Sequence, residues 1–95
     1  MFIVVLRFAE AREKAKSFMA EHNAFIQRGF DDGVFILVGS LRPAEGGLIL
    51  ARGGDRQALE QRLSTDPFVI HGIVHVEFLE VAPSRGNDAL LSLLT

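Results

Sequence analysis

Hydrophobic and polar positions divide the chain into strand-like and helix-like segments. Residues 2–8, FIVVLRF, are β-branched and aromatic, and apart from Arg7 both alternating faces are apolar, which is typical of a strand buried on two sides. From about Ala11 to Gly29 the apolar spacing becomes helical, and one stripe holds Ala15, Phe18, Met19, His22, Phe25, Ile26 and Gly29. The pattern therefore predicts a strand followed by a long amphipathic helix.

The remainder of the chain is predicted to contain a hairpin, a second helix and a last strand. A second strand at 34–39 and a third at 48–52 flank the loop SLRPAEGG at 40–47, which is rich in proline and glycine. A second helix follows, with Asp55 as its N-cap, and a fourth strand runs from about 73 to 81. PSRGN then interrupts the pattern, and DALLSLL is a short apolar tail.

This β-α-β-β-α-β order predicts an α+β, ferredoxin-like fold, in which two helices cover one face of an antiparallel sheet. Because 95 residues are too few for two hydrophobic cores, we interpret the whole chain as one domain. Its core is expected at 1–82, and its C-terminal tail at 83–95.

The second face of such a sheet predicts a partner. It would expose alternate residues of the first strand, either Phe2, Val4, Leu6 and Phe8 or Ile3 and Val5. Monomers rarely expose an apolar patch of that extent, and 48% hydrophobic residues is a high fraction for so small a chain. We expect a homodimer in which two sheets pack against each other, with the tail at 89–94 adding to the contact.

Composition narrows the classes of function. The absence of cysteine excludes disulfides, a thiolate nucleophile and Cys-ligated metal sites. A net charge of −2 with dispersed Lys and Arg argues against nucleic-acid binding, and the longest apolar run, FIVVL, is too short to span a membrane. MFIVVLRF also lacks the basic leader of a signal peptide. We therefore expect a cytoplasmic protein with no nucleic-acid or membrane partner.

Asp66 stands at a position that needs explaining. In STDPFVIHG it follows the predicted second helix, and Pro67 keeps residue 66 out of helical conformation. A carboxylate at the C-terminal end of a helix is disfavoured by about 0.3–1 kcal/mol. Asp66 also lies three residues after Leu63, toward the predicted sheet, so its carboxylate requires a donor.

His22 is the donor that the pattern offers. It lies four residues from Phe18 and Ile26, in the middle of the apolar stripe, and is therefore aimed at the same layer as Asp66. An Asp that accepts from one imidazole nitrogen leaves the other free for proton transfer. The sequence thus offers His22 and Asp66 as a catalytic pair, with a core histidine and an ordinary helix stop as the alternative.

Four pieces of sequence resemble the YCII-related (YciI-like) family of small dimeric proteins. They are MFIVVLRF, AEHNAFIQRG with His22, LVGSLRP and DPFVIHGIVHVEFLEV, and the match covers about residues 1–82. The resemblance implies a ferredoxin-like fold that pairs through its sheets into a dimeric α+β barrel. It also implies a His-Asp pair at His22 and Asp66. The family's longer second hairpin is shortened here to SLRPAEGG.

The resemblance also implies a kind of chemistry. Some relatives are thought to perform lyase or dehalogenase steps on ring compounds, and related dimeric barrels include muconolactone isomerases and cofactor-free monooxygenases. We expect a cofactor-free lyase, isomerase or dehalogenase acting on a small organic molecule, with His22 transferring the proton and Asp66 orienting it. The alternative is a non-catalytic dimeric module that binds a small molecule or a protein.

Other polar residues supply secondary candidates. Ser40 and Arg42 follow the second strand and are the predicted substrate-binding residues, because Arg42 could hold a carboxylate bidentately. His71 and His75 would lie about 13 Å apart in a strand, too far to bind one metal ion. His75 and Glu77 share a face but lack further ligands, so we predict no metal site and expect a polar pair at the dimer interface or its rim.

Overall fold

The computed structural model describes residues 1–94. This part of the chain contains four strands and four α-helices. The strands are β1 (Phe2–Phe8), β2 (Phe35–Leu41), β3 (Gly46–Ala51) and β4 (Val74–Glu80). The helices are α1 (Ala15–Asp31), α2 (Arg56–Leu63), α3 (Pro67–Ile70) and α4 (Asp88–Leu94). A short 3₁₀ turn at Arg12–Lys14 leads into α1.

The strands of this part form one antiparallel sheet in the order β2-β3-β1-β4. In its middle, Val4 of β1 lies opposite Ile49 of β3 on one side and Phe78 of β4 on the other. The two central strands are therefore the first and third in the chain, with the second and fourth at the edges. This order confirms the predicted ferredoxin-like α+β fold.

Residues of β1 divide between the two faces of the sheet. Phe2, Val4 and Leu6 are buried in the core beneath the helices, together with Phe25 of α1 and Leu63 of α2. The residues between them point to the other face because side chains alternate along a strand. Of the two alternatives that the sequence left open, the face away from the helices therefore carries Ile3 and Val5.

Helix α1 packs on the sheet through the apolar stripe that the sequence predicts. Phe25 and Gly29 are its buried residues, and the ring of Phe25 meets that of Phe35 edge to face at 5.7 Å. At Gly29 the helix comes so close to β2 that an added Cβ would overlap the ring of Phe35. The glycine therefore sets the distance between α1 and the sheet.

The observed elements differ from the prediction in several boundaries. Half of the segment 40–47, predicted as a loop, is hairpin strand, since Ser40 pairs with Gly47 and Leu41 with Gly46. Glycine and proline indicated a turn correctly, but backbone pairing continues until only 42–45 remain for it. The first helix begins at Ala15 rather than near Ala11, and α3 was not predicted. The apolar tail contains α4, which has no buried residue.

None of the helices within residues 1–94 is long and apolar enough to cross a membrane.

The close approach of Gly29 to Phe35 predicts that alanine at position 29 destabilises the protein, although alanine usually stabilises a helix. Glycine to alanine normally stabilises a helix interior by about 1 kcal/mol. We expect Gly29→Ala to lower the free energy of unfolding by about 1–3 kcal/mol, because the ring of Phe35 must shift within a packed core. Urea unfolding measures this, and Ala20→Gly, at an exposed position of α1, gives the ordinary propensity cost as control. A Gly29→Ala variant more stable than the wild type would contradict the packing described.

Candidate active site

Asp66 lies at the start of a helix, and this corrects the reason for which the sequence singled it out. Helix α2 ends at Leu63, and Asp66 is the N-cap of α3, with φ −65° and ψ 124°. Its side chain accepts a hydrogen bond from the backbone N–H of Phe68 at 3.0 Å, and Pro67 takes the first helical position. The predicted penalty of an acid at a helix C-terminus was therefore wrong, since an N-cap is where a carboxylate is favourable.

The predicted contact between Asp66 and His22 is present. Nδ1 of His22 lies 2.8 Å from Oδ1 of Asp66, the same oxygen that caps α3. Asp66 is completely buried, and the His22 side chain is 14% exposed. Among the described residues Oδ2 of Asp66 has no hydrogen-bond partner. The carboxylate is therefore held by Oδ1 alone, through donors from α1 and from α3.

The imidazole of His22 has a defined orientation. It stacks on the ring of Phe68 with centroids 3.9 Å apart and planes 5° from parallel. An ionised carboxylate only accepts hydrogen bonds, so Nδ1 carries the hydrogen and a neutral ring presents its lone pair at Nε2. No described side chain or backbone group bonds to Nε2. This arrangement suits a general base whose orienting partner is behind it.

A cavity of about 330 Å³ opens beside His22, between α1 and the sheet. Its walls are mostly apolar and include Leu6, Phe8, Met19, Ile26, Val38 and Phe68. Polar side chains enter at three points, His22, Asn23 and Ser40, and the backbone of the glycines at 39, 46 and 47 forms part of the lining. Its size and mixed lining are those of a site for a small organic molecule.

The two predicted substrate-binding residues separate in the structure. Ser40 lies within β2 and lines the cavity, whereas Arg42 lies beyond the end of β2 and is not among the lining residues. Leu41 pairs with Gly46 at the end of the hairpin, and Arg42 begins the turn that follows. The structure therefore joins His22, Asp66 and Ser40 in one region and leaves Arg42 outside it.

The sequence reading missed Asn23, Gly47 and Phe68. Asn23 borders the apolar stripe next to His22, and Phe68 is the aromatic residue directly after Asp-Pro. Their positions in the sequence could therefore have indicated that both lie near the site. Gly47 carried no such signal, because a glycine in a predicted hairpin loop is ordinary. Only the pairing of Gly47 with Leu6 and Ser40 places it in the sheet at the cavity.

The remaining histidines have other contacts. His71 stacks on Phe18 at a centroid distance of 4.0 Å, and His75 lies 3.7 Å from a carboxylate oxygen of Glu10. Glu77 pairs with Arg7 at 2.9 Å rather than with His75. Within residues 1–94, no three His, Cys, Asp or Glu side chains are grouped so that they could hold a metal ion.

Comparison with known proteins assigns the family. The model of the YCII-related domain matches residues 1–82. The chain belongs to the YCII-related family. No curated protein matches this YCII-related chain. A solved structure with the same fold is 5-chloro-2-hydroxyhydroquinone dehydrochlorinase from Burkholderia phenoliruptrix AC1100, in complex with 2,5-dihydroxybenzoquinone. It has a TM-score of 0.72 and 13% sequence identity, and the match covers 93% of the YCII-related chain and 100% of the dehydrochlorinase chain.

The two N-cap aspartates provide a matched test of the His22–Asp66 contact. Asp55 caps α2 at an exposed position through Gln57 N, so Asp55→Ala should cost about 1 kcal/mol. Asp66→Ala should cost about 2–4 kcal/mol, because it also leaves the Nδ1–H of His22 without its acceptor. Asp66→Asn keeps an accepting oxygen and should cost less than Asp66→Ala. Urea unfolding compares all three, and equal costs at positions 55 and 66 would show that the contact adds no stability.

Proposed function

We propose that this YCII-related protein is a cofactor-free enzyme that transfers a proton on a small organic molecule, in a lyase, isomerase or dehalogenase reaction. The observation that carries the proposal is the His22–Asp66 contact of 2.8 Å at the edge of a cavity of about 330 Å³. One nitrogen of His22 is held by a buried carboxylate, and the ring itself lines the cavity. A purely structural histidine would not need that access.

In this proposal His22 is the general base or acid and Asp66 is its positioning residue. Nε2 takes a proton from the bound molecule, and Asp66 Oδ1 stabilises the imidazolium that results. In an elimination, the electron pair left by the proton forms the new double bond while the leaving group departs with its own pair. In an isomerisation, the same proton is returned to another atom. Both reactions balance without an oxidant or reductant.

The dehydrochlorinase with the same fold supports this class of reaction by analogy. Its name describes loss of hydrogen chloride from a hydroxylated ring, and its structure holds a dihydroxybenzoquinone. Loss of hydrogen chloride is an elimination, the reaction for which one oriented base is sufficient. At 13% identity the comparison establishes the fold, so the transfer of activity to this chain rests on His22 and Asp66.

Two probes test the proposed chemistry. Chloride release from 5-chloro-2-hydroxyhydroquinone reports elimination, and conversion of muconolactone reports isomerisation. We expect turnover of at least one probe, with kcat lowered about 10²–10⁴-fold by His22→Gln, because a positioned general base contributes that much. Asp66→Asn should lower kcat about tenfold or more by removing the charge behind the imidazolium.

The control is Asp55→Asn, which changes the other N-cap, at the start of α2, and should leave kcat unchanged. Turnover that persists unchanged in His22→Gln would contradict the proposed role of His22.

A non-catalytic binding module is the second candidate, and the mostly apolar lining of the cavity is the observation that favours it. Such a module would bind small ring compounds beside His22 and turn none of them over. Retention of a ligand for hours without any chemical change, combined with unaltered binding in Asp66→Asn, would favour this candidate over the enzyme.

We also propose a homodimer formed through the face of the sheet opposite the core that α1 and α2 cover. Ile3, Val5, Leu48 and Leu50 lie on it, with Leu37 and Leu79 at its edges 49% and 56% exposed. A second copy of the same face would bury this apolar surface. Arg7, His75 and Glu77 lie on the same face toward one end of β1 and would form part of the rim.

Sedimentation analysis at micromolar concentration tests the dimer. We expect a dimer for the wild type and dissociation in Leu79→Glu, which adds a charge to the apolar face. Ile70→Glu is the matched control, because Ile70 is also exposed, at 61%, but belongs to α3 on the other side of the sheet. A wild-type monomer would contradict the dimer, and dissociation by Ile70→Glu instead of Leu79→Glu would move the interface to α3.

The cytoplasmic location and the absence of nucleic-acid and membrane partners stay predictions from the sequence.

A further inference from the structure

Within residues 1–94, the cavity beside His22 is lined by no lysine or arginine side chain. Its polar lining is His22, Asn23 and Ser40, and neither Lys nor Arg is among the lining residues. Behind His22 lies the buried carboxylate of Asp66, which makes the site unfavourable for an anion. A carboxylate brought into this cavity beside a neutral His22 would gain no positive partner. The lining therefore disfavours anionic ligands.

Gly47 leaves the sheet without a side chain at the cavity. It pairs with Leu6 and Ser40, and alternation along β3 puts it on the same face as Ile49, which is buried beneath the helices. A Cβ built at Gly47 has one close neighbour, the carbonyl oxygen of Gly39 at 3.2 Å. The space that a larger side chain would fill is therefore part of the cavity, and the exposed backbone offers a flat floor.

The polar groups at this floor have unused hydrogen-bonding capacity. Within residues 1–94, neither the Asn23 amide nor the Ser40 hydroxyl has a hydrogen-bond partner, and Nε2 of His22 has none either. Asn and Ser can each donate and accept, whereas a neutral His22 bonded to Asp66 through Nδ1 can only accept at Nε2. An uncharged ligand with an acidic O–H group satisfies that acceptor without bringing a charge.

We propose that the cavity binds flat, uncharged, single-ring phenols, with the ring on the backbone of Gly47, one hydroxyl directed at His22 Nε2 and further polar substituents at Asn23 and Ser40. This proposal names the ligand class of the site and rests on the proposed function only for the role of His22. The apolar walls, among them Phe8 and Val38, contact the ring on the sides that α1 and the sheet border. Gly47 and Ser40 are then specificity-determining residues, with no part in the proton transfer.

Three probes that differ in one substituent test the ligand class. They are 4-methylphenol, 4-hydroxybenzoate and 4-hydroxybenzylamine, which carry a methyl group, a carboxylate and an ammonium group opposite the same hydroxyl. Titrations followed by ¹H–¹⁵N NMR give each dissociation constant and locate the binding site. We expect 4-methylphenol to shift signals of cavity residues and to bind at least about tenfold more tightly than either charged probe. Equal or tighter binding of 4-hydroxybenzoate or of 4-hydroxybenzylamine, or no binding of 4-methylphenol, would overturn the proposal.

A charge reversal makes the test specific to the cavity. Ser40→Lys places a cation at the lining and should shift the preference toward 4-hydroxybenzoate by about tenfold or more. Ser17→Lys adds the same charge at an exposed position of α1 that does not line the cavity, and should leave the preference unchanged. An identical preference in Ser40→Lys and Ser17→Lys would show that Ser40 does not face the ligand.

A side chain added at Gly47, where the cavity borders β3, gives an independent test. Gly47→Val should weaken binding of 4-methylphenol by about tenfold or more, because its side chain occupies the space above β3. Gly53→Val is the matched control outside this cavity, where a Cβ meets only the N-terminal nitrogen at 3.4 Å. Thermal melting verifies that each variant is folded, and if Gly47→Val does not fold, the Ser40→Lys comparison decides the proposal. Undiminished binding in a folded Gly47→Val would overturn it.

The ligand class and the proposed reaction can fail separately. His22→Gln removes the proton acceptor but keeps the floor and Ser40, so it should retain the preference for 4-methylphenol over 4-hydroxybenzoate. Retained preference together with absent turnover in the wild type would uphold the ligand class and overturn the reaction. Turnover of a hydroxylated ring together with preferential binding of 4-hydroxybenzoate would uphold the reaction and overturn the ligand class.

Discussion

The site depends on one oxygen atom. Oδ1 of Asp66 accepts from the backbone of Phe68 and from the imidazole of His22, so it starts α3 and connects that helix to α1. Both interactions are shielded from water, because Asp66 is fully buried. A buried carboxylate is costly without hydrogen-bond donors, so the contact with His22 contributes to stability as well as to the proposed chemistry. Phe68, placed by the same cap, then stacks on the imidazole and fixes its plane.

The fold explains why the cavity lies where it does. In a ferredoxin-like sheet the helices cover one face, and α1 crosses it at a distance set by Gly29 and Phe35. At the other end of the same helix face, the sheet presents Gly47 instead of a large side chain. Close packing at one end and a missing side chain at the other leave a space beside His22. The catalytic candidate and its cavity thus result from the same helix-on-sheet contact.

The two faces of the sheet have different surroundings although their strands are equally apolar. Phe2, Val4 and Leu6 are covered by α1 and α2, and the alternate residues Ile3 and Val5 lie on the opposite face. A strand that is apolar on both sides requires cover on both sides, and α1 and α2 cover only one of them. The same property of β1 therefore underlies the core and the proposed dimer.

The sequence by itself determined the order of the main elements, the apolar stripe of α1 and the pairing of His22 with Asp66. These follow from periodicities of two and 3.6 residues and from the rule that a buried carboxylate needs a donor. Only the tertiary structure decided that Asp66 caps α3, that Ser40 reaches the cavity while Arg42 does not, and that Gly47 forms its floor. Those facts depend on strand register and on the length of hairpin pairing, which are set by contacts between residues distant along the chain. A local pattern of hydrophobicity carries no information about such contacts.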